Sequence, residues 1–324
     1  MTKISLEKNK IKPINTLFAN QMAEGVGFAS SSGHVLPADI SGIKFAIGLH
    51  GSFTPVETSE LNTTIKDIMG KNFASDFITE NNNISTKFFP INLMPILNFK
   101  IGLKPILPMD IGLRVGCIPT LNFHMPLDDN SNNNLVFNLG WTLIGAQVRF
   151  SKIKFGPAHL VFGANTDFYF GGYTISLKNE FTQDGKIPYT NSTTNKAEEL
   201  AVGYNFDLIT SIENKWFVYS VSPFLQAGIN LGFVKPFVGL GCNLNFGTVN
   251  STSTVTGTAI ASAQEEELLK VNIKPDPVTA DKKVQLGNVR VMGGTKLFFT
   301  TVILESDVLL KSWSATFNLF SISF

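Results

Sequence analysis

The stretch "GIKFAIGLHGSFTP", residues 42–55, alternates large apolar side chains with polar or small ones. Lys44 and His50 share one face of the extended chain with Ala46 and Gly48. The opposite face carries the large apolar side chains Ile43, Phe45, Ile47 and Leu49. A period of two residues is the signature of a β-strand that has one apolar face.

The same alternation recurs along the whole chain. The ten clearest runs are 42–55, 87–103, 108–119, 135–151, 157–176, 217–233, 236–248, 288–299, 300–311 and 312–324. Strands of soluble sandwiches average about five or six residues, whereas a tilted strand needs about 9–11 residues to cross a membrane. Because most of these runs exceed even the second length, the pattern predicts an all-β fold, an antiparallel transmembrane β-barrel. A large soluble β-protein is the alternative.

The number of strands follows from parity. Bacterial single-chain barrels have an even number of strands. An eleventh alternating run, 200–213, would make the number odd. It is therefore either a loop extension above the membrane or one of two further spanning strands, the other of which the sequence pattern does not reveal. Ten spanning strands are favoured, and twelve are the alternative. Within 135–151 the alternation changes phase near Ile144 and Gly145, which predicts a β-bulge there.

The connections between runs differ in length, which predicts the domain organisation. Short turns alternate with long polar segments, as the two rims of an outer-membrane barrel require. The predicted long outer loops are 56–86, 120–134, 178–199 and 249–287. Within the last, 259–274 contains helix-forming residues and an acidic cluster, Glu265 to Glu267, which indicate a solvated helical face with divalent-ion binding as the alternative. Residues 42–324 then form the barrel, and 1–41 form a periplasmic N-terminal segment.

That N-terminal segment is predicted to contain a short amphipathic helix near 15–24. Asn15 can cap it, and Gly25 or Gly27 can end it. Its apolar stripe comprises Ile14, Leu17, Phe18 and Met22. The stripe needs cover in water, so we expect the helix either to plug the lumen or to cover the barrel base at the periplasmic mouth.

Composition excludes several classes of protein. Only 16% of the residues are charged and the net charge is +1, which gives no basic patch for nucleic acid. The sequence contains no uninterrupted apolar run of about 18 residues, so a membrane-spanning helix is not expected. Cys117 and Cys242 lie in predicted strands, where free thiols are favoured over a disulfide. No cofactor motif is visible, no metal-ligand spacing occurs, and the first residues of this numbering lack the apolar core of a secretory signal.

Charged residues on the non-apolar faces of the strands are predicted to line the lumen. The positive members are Lys44, Lys100, Arg114, Arg290 and Lys296, and the negative members are Asp110, Asp167, Glu305 and Asp307. A pore selective for one ion sign would show a ring of one sign. The mixed signs instead predict ion pairs across a narrow, largely closed lumen.

The C-terminal sequence "FNLFSISF" resembles the terminal assembly signal of bacterial outer-membrane barrel proteins. Such strands end in Phe, here Phe324, with apolar residues at alternate preceding positions, here Ile322 and Phe320. The resemblance implies a bacterial outer-membrane location, with membrane lipid and the outer-membrane assembly machinery as partners. We expect Phe324 to face lipid, strand 312–324 to pair with strand 42–55, Trp313 to mark the outer interface, and a bulge to lie near Leu319.

The short N-terminal segment, first strand and long outer loops more distantly resemble the long-chain fatty-acid channel family, whose members use an N-terminal plug and carry hydrophobic molecules sideways out of the barrel wall. This resemblance implies a small hydrophobic solute as cargo. The chain is shorter than typical members and lacks their N-terminal Asn-Pro-Ala signature.

The histidines give little support for an enzyme. His50 and His124 lie near predicted outer strand ends, and Asp128 and Asp129 follow His124, but no Gly-x-Ser-x-Gly elbow is present. His34 and His159 have no partner motif. A narrow channel or transporter for small or hydrophobic solutes is therefore the first hypothesis, and a structural or surface-interaction barrel with a closed lumen is the second.

Overall fold

A computed structural model describes residues 8–33, 42–57, 86–103, 106–126, 134–190, 197–263, 266–309 and 311–323. These residues form one helix and twelve strands. The elements are α1 (Lys8–Ser31), β1 (Ile43–Glu57), β2 (Thr86–Gly102), β3 (Met109–Pro126), β4 (Asn134–Phe155), β5 (Ala158–Thr190), β6 (Ala197–Ile229), β7 (Val234–Ala263), β8 (Glu266–Ile273), β9 (Val278–Lys283), β10 (Gly287–Leu297), β11 (Thr300–Asp307) and β12 (Trp313–Ser323). The protein is therefore all-β apart from α1.

Ten of the strands form a closed antiparallel ring. Strands β1 to β7 pair in chain order, β7 pairs with β10, and β10, β11 and β12 continue in order. The predicted pairing of the last strand with the first is confirmed, because Phe45 lies opposite Ile322 and Phe53 opposite Trp313. The two short strands β8 and β9 lie outside the ring and pair with β7.

One predicted bulge is confirmed and the other is wrong. In the β1–β12 ladder, Ile47 pairs with Phe320 and the next residue, Gly48, pairs with Asn318, so Leu319 is the extra residue. Around Ile144 and Gly145 the ladders on both sides are regular. The phase change there has another cause: from Leu143 toward the start of β4, apolar side chains turn inward to meet α1.

Two segments predicted as polar loops are largely strand. Strands β5 and β6 continue through most of 178–199, and the run 200–213 belongs to β6. Strands β7, β8 and β9 occupy most of 249–287, and the helix expected in 259–274 is replaced by a strand pair. Because Thr and Val are frequent in 249–258, strand propensity decides there over polarity. Of the other two loops, 58–85 and 127–133 lie outside the described residues.

These additions lengthen one side of the ring into a strand extension, which we define as β5 beyond Gly172, β6 before Asn214, β7 beyond Gly247, and β8. Its surface carries ion pairs: Lys178 contacts Glu180 and Asp207, and Lys186 contacts Glu199. The hydrogen bond that Lys178 donates to Glu180 raises the pKa of Lys178. The short turns of the ring lie at its opposite end.

The helix is longer than predicted and differently placed. It runs from Lys8 to Ser31, contains Pro13, and passes Gly25 and Gly27 without ending. Asn15 is not a cap, because its amide donates to the Val278 carbonyl and its oxygen accepts from Ser253. Both partners belong to the extension end, so α1 enters the ring there and not at the short-turn end that the sequence predicted.

Candidate functional site

The interior of the ring is charged and its outside is apolar, the reverse of a soluble protein. Arg114, Arg149 and Arg290 are each 0% exposed. Eight of the nine predicted lumen residues are buried on the inward-facing positions, and Lys296 is half-buried on the same face of β10 as Arg290. Arg149 was not among the predicted residues, although it lies on the same inward face of β4 as Gln147.

Glycines on intervening strands allow charges two strands apart to meet. Gly145 on β4 lies opposite both Arg114 on β3 and Asp167 on β5. Since Gly145 has no side chain to intervene, the Arg114 guanidinium reaches the Asp167 carboxylate at 3.1 Å. Gly112 lies in the same way between Lys100 and Gln147, and the Lys100 amine donates to the Gln147 side chain.

A first layer of polar side chains lines the short-turn end. Asp110 accepts two hydrogen bonds from Arg149, and the Lys44 amine lies 3.8 Å from the same carboxylate. The chain of contacts continues from Gln147, whose amide donates to the Asn165 oxygen at 2.6 Å. A buried carboxylate needs such partners, because an unpaired charge in a low-dielectric interior is expensive.

A second layer holds the C-terminus of α1. Arg114 donates to the carbonyl of Ser30 at 3.0 Å and to that of Ser32, and Arg290 donates to the carbonyl of Ser31. The last carbonyls of a helix have no partner within it, and they carry the negative end of the helix dipole. Two guanidinium groups from opposite arcs of the ring therefore satisfy the helix end and fix its depth.

The turn after α1 completes this layer. The Gly33 amide donates to the Glu305 carboxylate at 2.5 Å, and Glu305 also lies 3.6 Å from Arg290. Gly33 has φ of 83°, and a Cβ there would lie 2.7 Å from the His50 ring. Only glycine fits this backbone without strain. His50 itself bridges Ser32 at 3.1 Å and Thr316 at 2.8 Å, so it ties the helix end to β12.

A third, apolar layer surrounds the middle of α1. Met22, Ala23, Val26 and Ala29 of the helix pack against the ring. Their partners are Val284, which lies between β9 and β10, and the ring residues Met94, Ile96, Leu143, Tyr169, Trp216, Val218 and Val249. Sequence alternation alone could not assign these ring residues to the interior, because apolar side chains on a membrane strand are expected to face outward.

The outside of the ring carries a belt of exposed apolar side chains. Typical members are Leu93, Leu113, Phe162, Phe217, Leu240, Val289 and Leu304, each at least 45% exposed. Cys117 and Cys242 lie exposed in this belt as free thiols. On β7 the outward positions change from Leu244 and Phe246 to Asn250, Thr252 and Thr254, so the belt stops where the extension begins.

Aromatic side chains border the belt on both sides. At the short-turn end, Phe233 stacks on Phe298 with ring centroids 5.4 Å apart. Phe298 has φ of 50°, a conformation that is rare for a bulky residue. At the other border, Trp313 stacks on Phe53 at 4.4 Å, where the sequence placed the outer interface. Phe324 lies outside the described residues, so its lipid-facing position stays a prediction.

A cavity of about 450 Å³ lies near the short-turn end, where β5, β6 and β7 meet. Apolar residues dominate its lining, among them Leu160, Ile229 and Val238. His159 is its one ionisable lining residue.

The remaining candidate residues from the sequence are only partly described by the structure. His124 is exposed near the end of β3, while His34, Asp128 and Asp129 lie outside the described residues. The described ranges contain no group of three His, Cys, Asp or Glu that could hold a metal ion. Within the same ranges, no helix is both long enough and apolar enough to cross a membrane.

Comparison with known proteins gave no match, either to a protein family or to a curated protein.

Proposed function

We propose that the protein is a bacterial outer-membrane barrel of ten spanning strands, a channel for small solutes that α1 closes as a plug. The observation that carries this proposal is the inverted distribution of side chains. Buried arginines line the inside, while exposed Leu, Val and Phe cover the outside. In water the outer belt would be a large unpartnered apolar surface. In a bilayer it faces acyl chains, and the closed ring leaves no unpaired strand edge in the lipid.

The plug function rests on how α1 is held. Polar contacts fix its C-terminus, and an apolar layer surrounds its middle. Below the helix end, one arc of the inner wall is polar and the other carries an apolar cluster of Phe224, Phe237, Met292 and Ile303. The polar arc suits water and small hydrated solutes once the helix moves. The closed form is thus the resting state, and conduction requires α1 to leave its seat.

A cysteine pair tests the plug directly. A Cβ at Gly27 would lie 3.2 Å from the Asn245 Cγ, the position that the sulfur of a cysteine at 245 would occupy, so two cysteines here lie within disulfide reach. The variant is Gly27→Cys with Asn245→Cys, made in a chain whose Cys117 and Cys242 are replaced by Ser. Single-channel conductance in planar bilayers is the readout. We expect oxidation to abolish openings and reduction to restore them.

The controls are the two single-cysteine variants, each measured with and without oxidant. Gly27→Cys alone brings the same new contact with Val284, 2.9 Å from the added Cβ. Equal conductance of the oxidised and reduced double variant would refute the plug, and absence of any current in every condition would refute the channel.

One observation favours a second function, a surface-interaction barrel. The extension places a polar sheet beyond the belt, and β8 at its edge exposes Leu268, Leu269 and Val271. A permanently plugged ring that displays this sheet would bind partners at the cell surface. Deleting β8 alone would then abolish binding to intact cells, and the ring would pass no current before or after the deletion.

A further inference from the structure

The helix α1 runs along the inside of β7, from the extension toward the short turns. The Ser253 hydroxyl of β7 donates to the Asn15 side chain at 2.6 Å. Farther along α1, Gly27 lies so close to Asn245 of β7 that a Cβ there would be 2.8 Å from the Asn245 amide nitrogen. Residue numbers rise along α1 while they fall along β7, so the two elements run in opposite directions. The start of α1 therefore lies at the extension, and its end lies deeper in the ring.

The start of α1 lies beyond the apolar belt. On β7 the belt ends at Phe246, and the polar residues Asn250 and Thr252 follow on the same face. Ser253, which holds Asn15, lies seven residues past Phe246 (253 − 246). At about 3.3 Å per residue and a strand tilt of about 45°, this is roughly 16 Å along the axis of the ring. Asn15 is thus outside the layer that the belt occupies.

Exposure to solvent along α1 changes in the same direction. Lys12, Pro13 and Thr16 are exposed, whereas every residue of 25–33 is buried. The first turns of the helix therefore project into solvent at the extension end, while the ring encloses the last turns.

After α1 the chain continues to the opposite rim. The Gly33 amide donates to the Glu305 carboxylate inside the ring. Strand β1 then starts at Ile43, where the Gly102 amide, at the end of β2 beside a short turn, donates to the Gly42 carbonyl at 2.7 Å. Before its first strand the chain has therefore passed through the lumen from one rim to the other.

The enclosed half of α1 consists mostly of small residues. Residues 23–33 read "AEGVGFASSSG". Small side chains let a helix backbone approach its neighbours closely, and a ring of about eight strands has room only for side chains. Even a Cβ at Gly27 would lie 2.8 Å from Asn245 and 2.9 Å from Val284. This composition suits a helix that occupies the narrow lumen of the ring.

Outer-membrane barrels keep their short turns in the periplasm and their long connections outside the cell. With the ring in that orientation, the extension and the first turns of α1 lie outside. We propose that the ring is a conduit for its own polypeptide: the chain N-terminal to Asn15 passes through the lumen and is displayed on the cell surface. The lumen then holds a polypeptide as cargo, besides the small solutes of the channel. The proposal rests on the membrane placement proposed above, but not on conduction.

Thiol accessibility on living cells tests the display. The chain, with Cys117 and Cys242 replaced by Ser, is expressed behind a cleavable secretory signal as three variants, Lys12→Cys, Lys186→Cys and Ile106→Cys. The probe is a maleimide coupled to polyethylene glycol, too large to pass outer-membrane channels, and each reaction appears as a shift in gel mobility. Lys186 lies in the extension with its side chain 70% exposed, and Ile106 lies in the turn between β2 and β3 and is 84% exposed. These two positions mark the two faces of the membrane, and heat-modifiable gel mobility shows that each variant has folded.

We expect Lys12→Cys to react on intact cells as fully as Lys186→Cys, and Ile106→Cys to react only after the outer membrane is opened. Protection of Lys12→Cys on intact cells, with Lys186→Cys still reacting, would overturn the display and leave the membrane placement standing. Reaction of Ile106→Cys on intact cells, or protection of Lys186→Cys there, would contradict the membrane placement and overturn the display with it.

Discussion

Arg114 offers the sharpest test of how the plug is held. The variant is Arg114→Met with Asp167→Asn, which removes both charges of the pair so that no buried carboxylate is left alone. Truncating one partner only would cost about 3–5 kcal/mol for the ring itself. The double substitution leaves the ring without an unpaired buried charge, so its main effect should be on the free energy of docking of the helix end. There Arg114 donates to the carbonyls of Ser30 and Ser32.

The size of the effect follows from those two bonds. Hydrogen bonds to charged groups contribute about 1.5–3 kcal/mol each, so their loss should weaken helix docking by about 3–6 kcal/mol. At about 1.4 kcal/mol per tenfold change, the undocked population rises at least about a hundredfold. Arg290 keeps its bond to Ser31, so the helix should still dock most of the time.

The assay is thiol labelling of Ser31→Cys in a chain whose Cys117 and Cys242 are replaced by Ser. Ser31 is 0% exposed when docked, so a polar maleimide reacts only with the undocked helix. The matched control is Arg149→Met with Asp110→Asn, an equally buried pair nearer the short turns. We expect a rise of at least about a hundredfold in labelling rate for the first variant. A rise of less than about tenfold, or an equal rise in the control, would refute the account of the helix end.

Three further predictions concern the ring and its assembly. Leu240→Arg places a cation at the middle of the belt and should make the free energy of refolding into lipid vesicles less favourable by about 2–4 kcal/mol. Thr254→Arg, on the same strand within the extension, should leave that free energy nearly unchanged. Equal losses in the two variants would contradict the belt. Gly48→Ala places a Cβ 2.4 Å from the Phe317 carbonyl oxygen and should lower stability by about 1–3 kcal/mol, unlike Gly293→Ala, whose nearest neighbour is 3.8 Å away. Phe324→Asp should prevent the heat-modifiable gel shift of the membrane fraction, and Phe324→Tyr should retain it. A normal shift for Phe324→Asp would contradict the assembly-signal prediction.

The ring was predictable from sequence because its determinants are local. Period-two alternation in long runs such as 42–55 needs no tertiary information, and the pairing of the last strand with the first follows from the cost of an open edge in lipid. The bulge at Leu319 was also visible, since the residues around it change phase in a chain that must keep its apolar face outward.

The site was less predictable because it depends on what lies inside the ring. Leu143 and Trp216 face inward against α1. The alternation of side chains along a strand does not indicate whether a helix occupies the interior. The charges were found, but their contacts depend on register, which places Gly145 between Arg114 and Asp167. The seat of the helix end was missed because its acceptors are backbone carbonyls of Ser30 to Ser32, which carry no side-chain signal.

The central claim is that the outer belt faces lipid, and it is tested most directly at Cys242. This exposed thiol lies between Leu240 and Leu244 on β7, and a nitroxide spin label can be attached to it in a Cys117→Ser chain refolded into lipid vesicles. The comparison is a label at Thr254→Cys in a chain without either native cysteine. We predict that oxygen, which dissolves in the bilayer, relaxes the Cys242 label more than a water-soluble nickel complex does, and that the order is reversed at position 254. Equal access of the nickel complex to both labels would contradict the account.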